Sequence, residues 1–87
     1  MALNPQLRDI LTLFRDLSRN NVNVEVYDTA IIERRPNIPT EEIHNYLNQL
    51  VSLEYIKEVS HRPSGANFRL YNITKEGIKA LTNQDLK

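Results

Sequence analysis

"YIKEVSHRPSGANFRLYNITKEGIKAL" (Tyr55–Leu81) changes character three times. It opens with alternation. Tyr55, Lys57 and Val59 fall on one side and Ile56, Glu58 and Ser60 on the other, the period of a strand. Arg62–Asn67, "RPSGAN", is punctuated by Pro63 and Gly65 and reads as a turn. Alternation then resumes, with Phe68, Leu70 and Asn72 set against Arg69, Tyr71 and Ile73. Two short strands around such a turn predict a hairpin. Thr74 is placed to cap a closing helix whose apolar positions are Ile78 and Leu81. Gly77 in the first turn costs about 1 kcal/mol of helix propensity relative to Ala. A glycine kept there predicts close approach of another element.

Immediately upstream, "TEEIHNYLNQLVSLEYIKEVS" begins with a helix. Asn37–Pro39 make a turn, and Thr40 is the expected cap. Glu41 and Glu42 occupy the first turn, where the helix dipole favours negative charge. Ile43, Leu47 and Leu50 form one face, widened by Tyr46, Val51 and Leu53, and the helix should end near Leu53 or Glu54. Farther back, Asn4 as cap and Pro5 at the first helical position start a helix. Its stripe is Leu7, Ile10, Leu11, Phe14 and Leu17, and Asn20 and Asn21 are suited to ending it. Leu13 falls off the stripe, as scattered surface hydrophobicity or a dimer contact. Between these helices, Val22 and Val24 alternate with polar neighbours, whereas Val26, Ala30 and Ile31 suit a helix ending before Pro36. The reading adopted is a strand at 22–24 and a helix from Glu25 to Arg34, capped by Asn23 or Asp28.

With 87 residues, 40% hydrophobic and 25% charged, the chain is sized for one domain, its ordered core at about 5–82 and a frayed tail at 83–87. There is no Cys, which removes disulfides, thiolate zinc sites and cysteine nucleophiles. No basic, apolar leader opens the sequence and no apolar run spans a bilayer, so a cytoplasmic protein without a membrane partner is expected. The formal net charge is zero, which argues against an indiscriminate polyanion binder. Charge is nonetheless uneven. Glu41, Glu42, Glu54 and Glu58 face Lys57 alone across 40–58, while 59–75 carries His61, Arg62, Arg69 and Lys75 and no acid.

The predicted order is helix, short strand, helix, tight turn, helix, hairpin, helix. In this order the chain resembles the winged helix-turn-helix family over about residues 5–82. "TEEIHNYLNQLVSLEYIKEVS" is similar to the family's helix followed by an L..L...G-Y-I approach to the wing. "FRLYNITKEGIKAL" is similar to the Y-x-L-T-x-E-G...L ending of MarR-like and PadR-like repressors, and small phage-associated YjcQ-type proteins look similar too. One departure is Glu54, where the family often has Gly, which points to a differently shaped turn before the wing. The resemblance implies an α+β fold: a three-helix core, a two- or three-stranded antiparallel wing and a C-terminal helix.

It also implies that the helix at 40–53 enters a DNA major groove while the wing at 61–69 reaches the backbone or minor groove. The residues bear on this. With Ile43, Leu47 and Leu50 inward, helical geometry turns Glu41, Asn45, Asn48, Gln49 and Ser52 outward, with Thr40 at the helix start. Asn and Gln can pair bidentately with adenine. Candidate backbone and wing contacts are Arg34, Arg35, His61, Arg62, Ser64, Asn67 and Arg69. Glu41 and Glu42 work against DNA, because phosphates often dock at helix N-termini. Arg34 and Arg35 also suit the C-terminal end of a helix dipole.

Catalytic patterns are missing. Only Gly65 and Gly77 exist, so there is no phosphate-cradling loop, and nothing orders Ser, His and Asp as a triad. His44 and His61 do not make a metal site, and His44 at the edge of an apolar face is expected to be partly buried. No enzyme activity, cofactor or small-molecule ligand is expected. The main expectation is a double-stranded DNA-binding regulator, alone or as a homodimer. The alternative is a winged-helix adaptor that binds a protein partner, which suits the zero net charge. A single-strand binder would need exposed aromatics, and only Tyr27 and Tyr71 qualify.

Overall fold

The computed structural model describes residues 4–59 and 68–85, with side chains as far as Thr82. Its elements are α1 (Pro5–Ser18), β1 (Val26–Tyr27), α2 (Asp28–Arg34), α3 (Thr40–Ser52), β2 (Ile56–Val59), β3 (Leu70–Ile73) and α4 (Lys75–Asp85). The strands form one antiparallel sheet in the order β1-β3-β2.

α1 starts as its sequence directs. Pro5 is the first helical residue, and the Asn4 carboxamide oxygen accepts from the Gln6 N–H at 2.9 Å. The helix ends one residue earlier than the asparagines suggest. Arg19 takes the left-handed conformation (φ 56°), and Asn20 follows it (φ 62°). The Arg19 and Asn20 N–H groups then bond back to the Asp16 and Arg15 carbonyls, which satisfies the last turn. Leu7, Ile10, Leu11 and Phe14 are buried, and Leu13 also packs against the core at its edge instead of lying loose on the surface.

The strand expected at 22–24 is displaced. Residues 21–24 instead turn on Asn21, whose side-chain oxygen accepts from the Asn23 N–H at 2.8 Å while its carbonyl accepts from Val24. Val24 is left exposed. Pairing begins at Val26, opposite Tyr71, with Tyr27 opposite Leu70. The helix expected from Glu25 therefore starts at Asp28. Neither Asn23 nor Asp28 caps it: Tyr27 holds the cap position, with no side-chain hydrogen bond. At α3 the cap is likewise Pro39 and not Thr40. Pro39 already has the extended backbone of a cap (φ −56°, ψ 142°), and its carbonyl accepts from Ile43, so Thr40 falls inside the helix.

β2 and β3 pair as the predicted hairpin, with Ile56 opposite Ile73 and Val59 opposite Leu70. β3 is the central strand, and Leu70, Tyr71 and Ile73 are all buried, so simple alternation fails there. Tyr71 packs edge-on against Phe14, with ring centroids 5.9 Å apart, and is thereby withdrawn as a base-stacking aromatic. Tyr27 stays exposed and touches the ring of Phe68.

The turn from α3 into β2 keeps its tight form despite the missing glycine. Glu54 itself adopts φ 65°, while its N–H bonds to Val51 and that of Tyr55 to Leu50. A side chain in that region costs roughly 1–2 kcal/mol. The departure at Glu54 is thus absorbed as backbone strain. Thr74 ties the same turn to α4. Its hydroxyl donates to the Glu54 carbonyl at 2.6 Å and accepts the Gly77 N–H at 3.0 Å, which is the cap expected of it. The close approach inferred for Gly77 is present too, against the Tyr55 carbonyl. α4 continues to Asp85, into the stretch where fraying was expected.

Candidate nucleic-acid interface

α3 is held from behind by Ile43, Leu47 and Leu50, none of which has measurable exposure. Residues 41, 45, 48 and 52 then recur at helical spacing on the opposite side. Thr40, Glu41, Asn45, Asn48, Gln49 and Ser52 are all exposed. Chemically this face offers two carboxamides at Asn45 and Asn48, a third at Gln49, and hydroxyls at its two ends. Glu42 is exposed beside Glu41, so the acidic start of α3 lies open to solvent along with the amides.

The two arginines before α3 differ in kind. Arg34 closes α2 and is exposed. Arg35 reaches back to α1, where its Nε and Nη2 donate to the two carboxylate oxygens of Asp9, both at 2.6 Å. Nη1 donates to the Arg34 carbonyl. This fork holds the Asp9 carboxyl below its usual range against the opposing effect of burial, and in turn raises Arg35. The Arg35 head group therefore joins α1 to the end of α2.

Arg69, at the base of the wing, has an exposed side chain. Its interaction with Tyr71 raises the guanidinium pKa, with smaller contributions from Glu58 and Asp28. Burial pushes the Tyr71 phenol up, and Arg69 works in the opposite sense. The other wing candidates, His61, Arg62, Ser64 and Asn67, lie outside the described residues.

One polar node is not legible in the sequence. Asp28 is buried at the start of α2, where the sequence offers it only as a cap. Its Oδ1 accepts from the Arg69 N–H at 3.1 Å, and its own N–H donates to the Arg69 carbonyl at 2.9 Å. Its Oδ2 lies 3.2 Å from His44 Nε2. The half-buried position expected for His44 is correct, and that expectation held the available signal: an imidazole on an apolar edge needs a polar partner. Among the described residues, no group of three or more His, Cys, Asp and Glu is arranged to hold a metal ion, and no helix is long and apolar enough to cross a membrane.

No protein-family model matches the chain, and no curated protein sequence matches it. Solved structures do. A mutant MarR from Escherichia coli, complexed with operator DNA, superposes with a TM-score of 0.74 at 12% identity, covering 93% of this chain and 52% of its own. RosR, solved in a complex, gives 0.70 at 18% identity, covering 94% and 69%. The zinc-responsive MarR family member ZitR of Lactococcus lactis gives 0.69 at 18% identity, covering 99% and 54%. The chain spans about half the length of MarR and ZitR. At such identities the likeness is one of fold, and the fold is the α+β winged helix-turn-helix.

Proposed function

We propose that this domain binds double-stranded DNA as a small transcriptional regulator, with α3 in the major groove and the wing on the flanking backbone. The observation that carries this reading is the outer face of α3: six polar residues exposed together on a helix buried along its opposite side. In this reading Asn45, Asn48 and Gln49 read base edges, with adenine as the natural bidentate partner of an amide. Thr40, Glu41 and Ser52 border them. Arg34, Arg69 and Arg62 meet phosphates, together with His61, Ser64 and Asn67 of the wing. Arg35 is set aside from this group because its guanidinium is committed to Asp9. The operator complex of MarR supports the reading by analogy of fold. Two copies reading adjacent half-sites would supply the interface that one module lacks.

Three arginine–phosphate contacts per protomer correspond to a slope of about −3 in log K against log salt. Fluorescence anisotropy of a labelled duplex over a salt series measures it. Binding that is absent at low salt, or indifferent to salt, would rule the reading out. A second reading, a protein-binding adaptor, is favoured by one observation: Glu41 and Glu42 lie exposed where a phosphate would approach the α3 N-terminus. A tight hetero-complex together with no duplex binding would establish it instead.

A further inference from the structure

We propose that Asp28 and His44 form a clasp that fixes α3 against the base of the wing, and that His44 is a positioning residue for DNA reading. The inference rests on the DNA-binding reading above. The clasp joins three elements. Asp28 begins α2, His44 lies in the second turn of α3, and Arg69 immediately precedes β3. The Asp28 side chain is 6% exposed, and one oxygen is given to each neighbour: Oδ1 to the Arg69 N–H, Oδ2 to His44 Nε2.

A carboxylate in such a place is a poor choice for stability alone, since an apolar side chain would avoid its desolvation. What it provides is direction. Hydrogen bonds to both oxygens of one planar group fix where two elements stand relative to each other, which apolar packing does less strictly. Both elements carry candidate contacts. His44 adjoins Asn45 and is one helical turn from Asn48, while the other arm holds the backbone of Arg69 itself. The clasp thus sets the distance between the amides that would read bases and an arginine that would meet the backbone. A shift of about an ångström there is enough to lose a bidentate base contact. As a hydrogen bond to a carboxylate oxygen, the clasp requires Nε2 of His44 to carry a proton.

The test compares wild type with His44→Ala and His44→Gln, whose terminal amide can donate in place of Nε2–H. Two duplexes are used: one selected from a random-sequence library by the wild-type protein, and one of mixed sequence. In the free proteins, His44→Ala should speed exchange of the Arg69 amide about tenfold and alter the α3–β3 orientation read from residual dipolar couplings. On the selected duplex its Kd should rise about tenfold, with a smaller change on mixed sequence and an unaltered salt slope. His44→Gln should recover both properties to within about threefold. In the wild type alone, the ring nitrogen spectrum should show the Nε2–H tautomer. That spectrum serves even where His44→Ala does not fold, and an Nδ1–H tautomer would overturn the clasp. Unchanged Arg69 exchange and orientation in His44→Ala would also overturn it, while wild-type DNA binding left the functional reading intact. Faster exchange with an unchanged Kd would overturn the positioning role. Absence of duplex binding by the wild type would overturn the DNA reading and the positioning role together, and the exchange data would show whether the clasp itself exists.

Discussion

Gly77 packs directly against Tyr55: a Cβ added to it would overlap the Tyr55 carbonyl oxygen and stand 3.2 Å from Ile73 Cγ1. The carbonyl has no room to yield, because it accepts the Thr74 N–H at 3.0 Å, and Thr74 caps α4 and bonds to Glu54. The turn after α3, the cap of α4 and the glycine are one structural unit. It seats the closing helix on the start of the wing.

Gly77→Ala should therefore destabilise the domain although alanine is the better helix former. Overpacking at a site where the added carbon meets backbone costs about 2–3 kcal/mol, the upper part of the usual range, and the propensity gain returns about 1 kcal/mol. A net loss of about 1–2 kcal/mol is expected from urea denaturation at unchanged m-value. Equal or greater stability would show that the two elements can separate freely.

Glu54→Gly should act the other way. Glu54 is held at φ 65°, where glycine is unstrained. Relief of roughly 1–2 kcal/mol is partly offset by the greater freedom of glycine in the unfolded chain, which leaves a gain of up to about 1 kcal/mol. Its urea midpoint should rise above that of the wild type. A fall would mean that the Glu54 side chain contributes more than its backbone costs.

The Asp9–Arg35 fork predicts a pH dependence with a definite sign. Arg35 depresses the Asp9 pKa in the folded state. The stability it contributes is present above the ordinary carboxylate value of 3.8 and is lost as pH falls through the lower folded value. Both side chains are about a third or more exposed, so solvent screening limits the pair to about 1 kcal/mol even with bidentate geometry. Wild type should exceed Asp9→Asn by that amount near neutrality, and the gap should close in acid and shrink in high salt. A gap that widens in acid would contradict the assignment.

Arg34 and Arg35, neighbours in sequence, should separate in function. Arg34→Ala should weaken duplex binding about equally for all sequences and reduce the salt slope by about one, with stability within about 0.5 kcal/mol of wild type. Arg35→Ala should instead lower stability, because Asp9 loses its partner. If Arg35→Ala cut the salt slope without a stability change, its pairing with Asp9 would be incidental.

Much of this is written locally in the chain. α1 and α3 announce themselves because each buries one stripe, so the 3.6-residue period survives intact in the sequence. The Thr74 cap and the constraint on Gly77 follow from residues three apart, and the outer face of α3 follows from geometry once Ile43, Leu47 and Leu50 are placed inward. The failures share a cause. Val22 and Val24 alternate as a strand should, yet the strand forms at Val26–Tyr27, because its partner is β3, more than 40 residues away. Tyr71 reads as outward because a two-sided strand has no polar face to betray it. Asp28, His44 and Arg69 cannot be joined on paper, since each is ordinary alone and only the folded chain brings them together. The pairing of Arg35 is likewise hidden in the sequence, because its partner, Asp9, lies on another helix.

The most direct measurement is a titration of isotope-labelled protein with mixed-sequence duplex DNA at low salt, followed by amide and side-chain amide shifts. The expected result is a set of salt-sensitive shifts on the outer face of α3, at Thr40, Asn45, Asn48, Gln49 and Ser52, and at residues 61–69, with Ile43, Leu47 and Leu50 little affected. No shifts at 40–52 or 61–69 under those conditions would contradict the DNA reading.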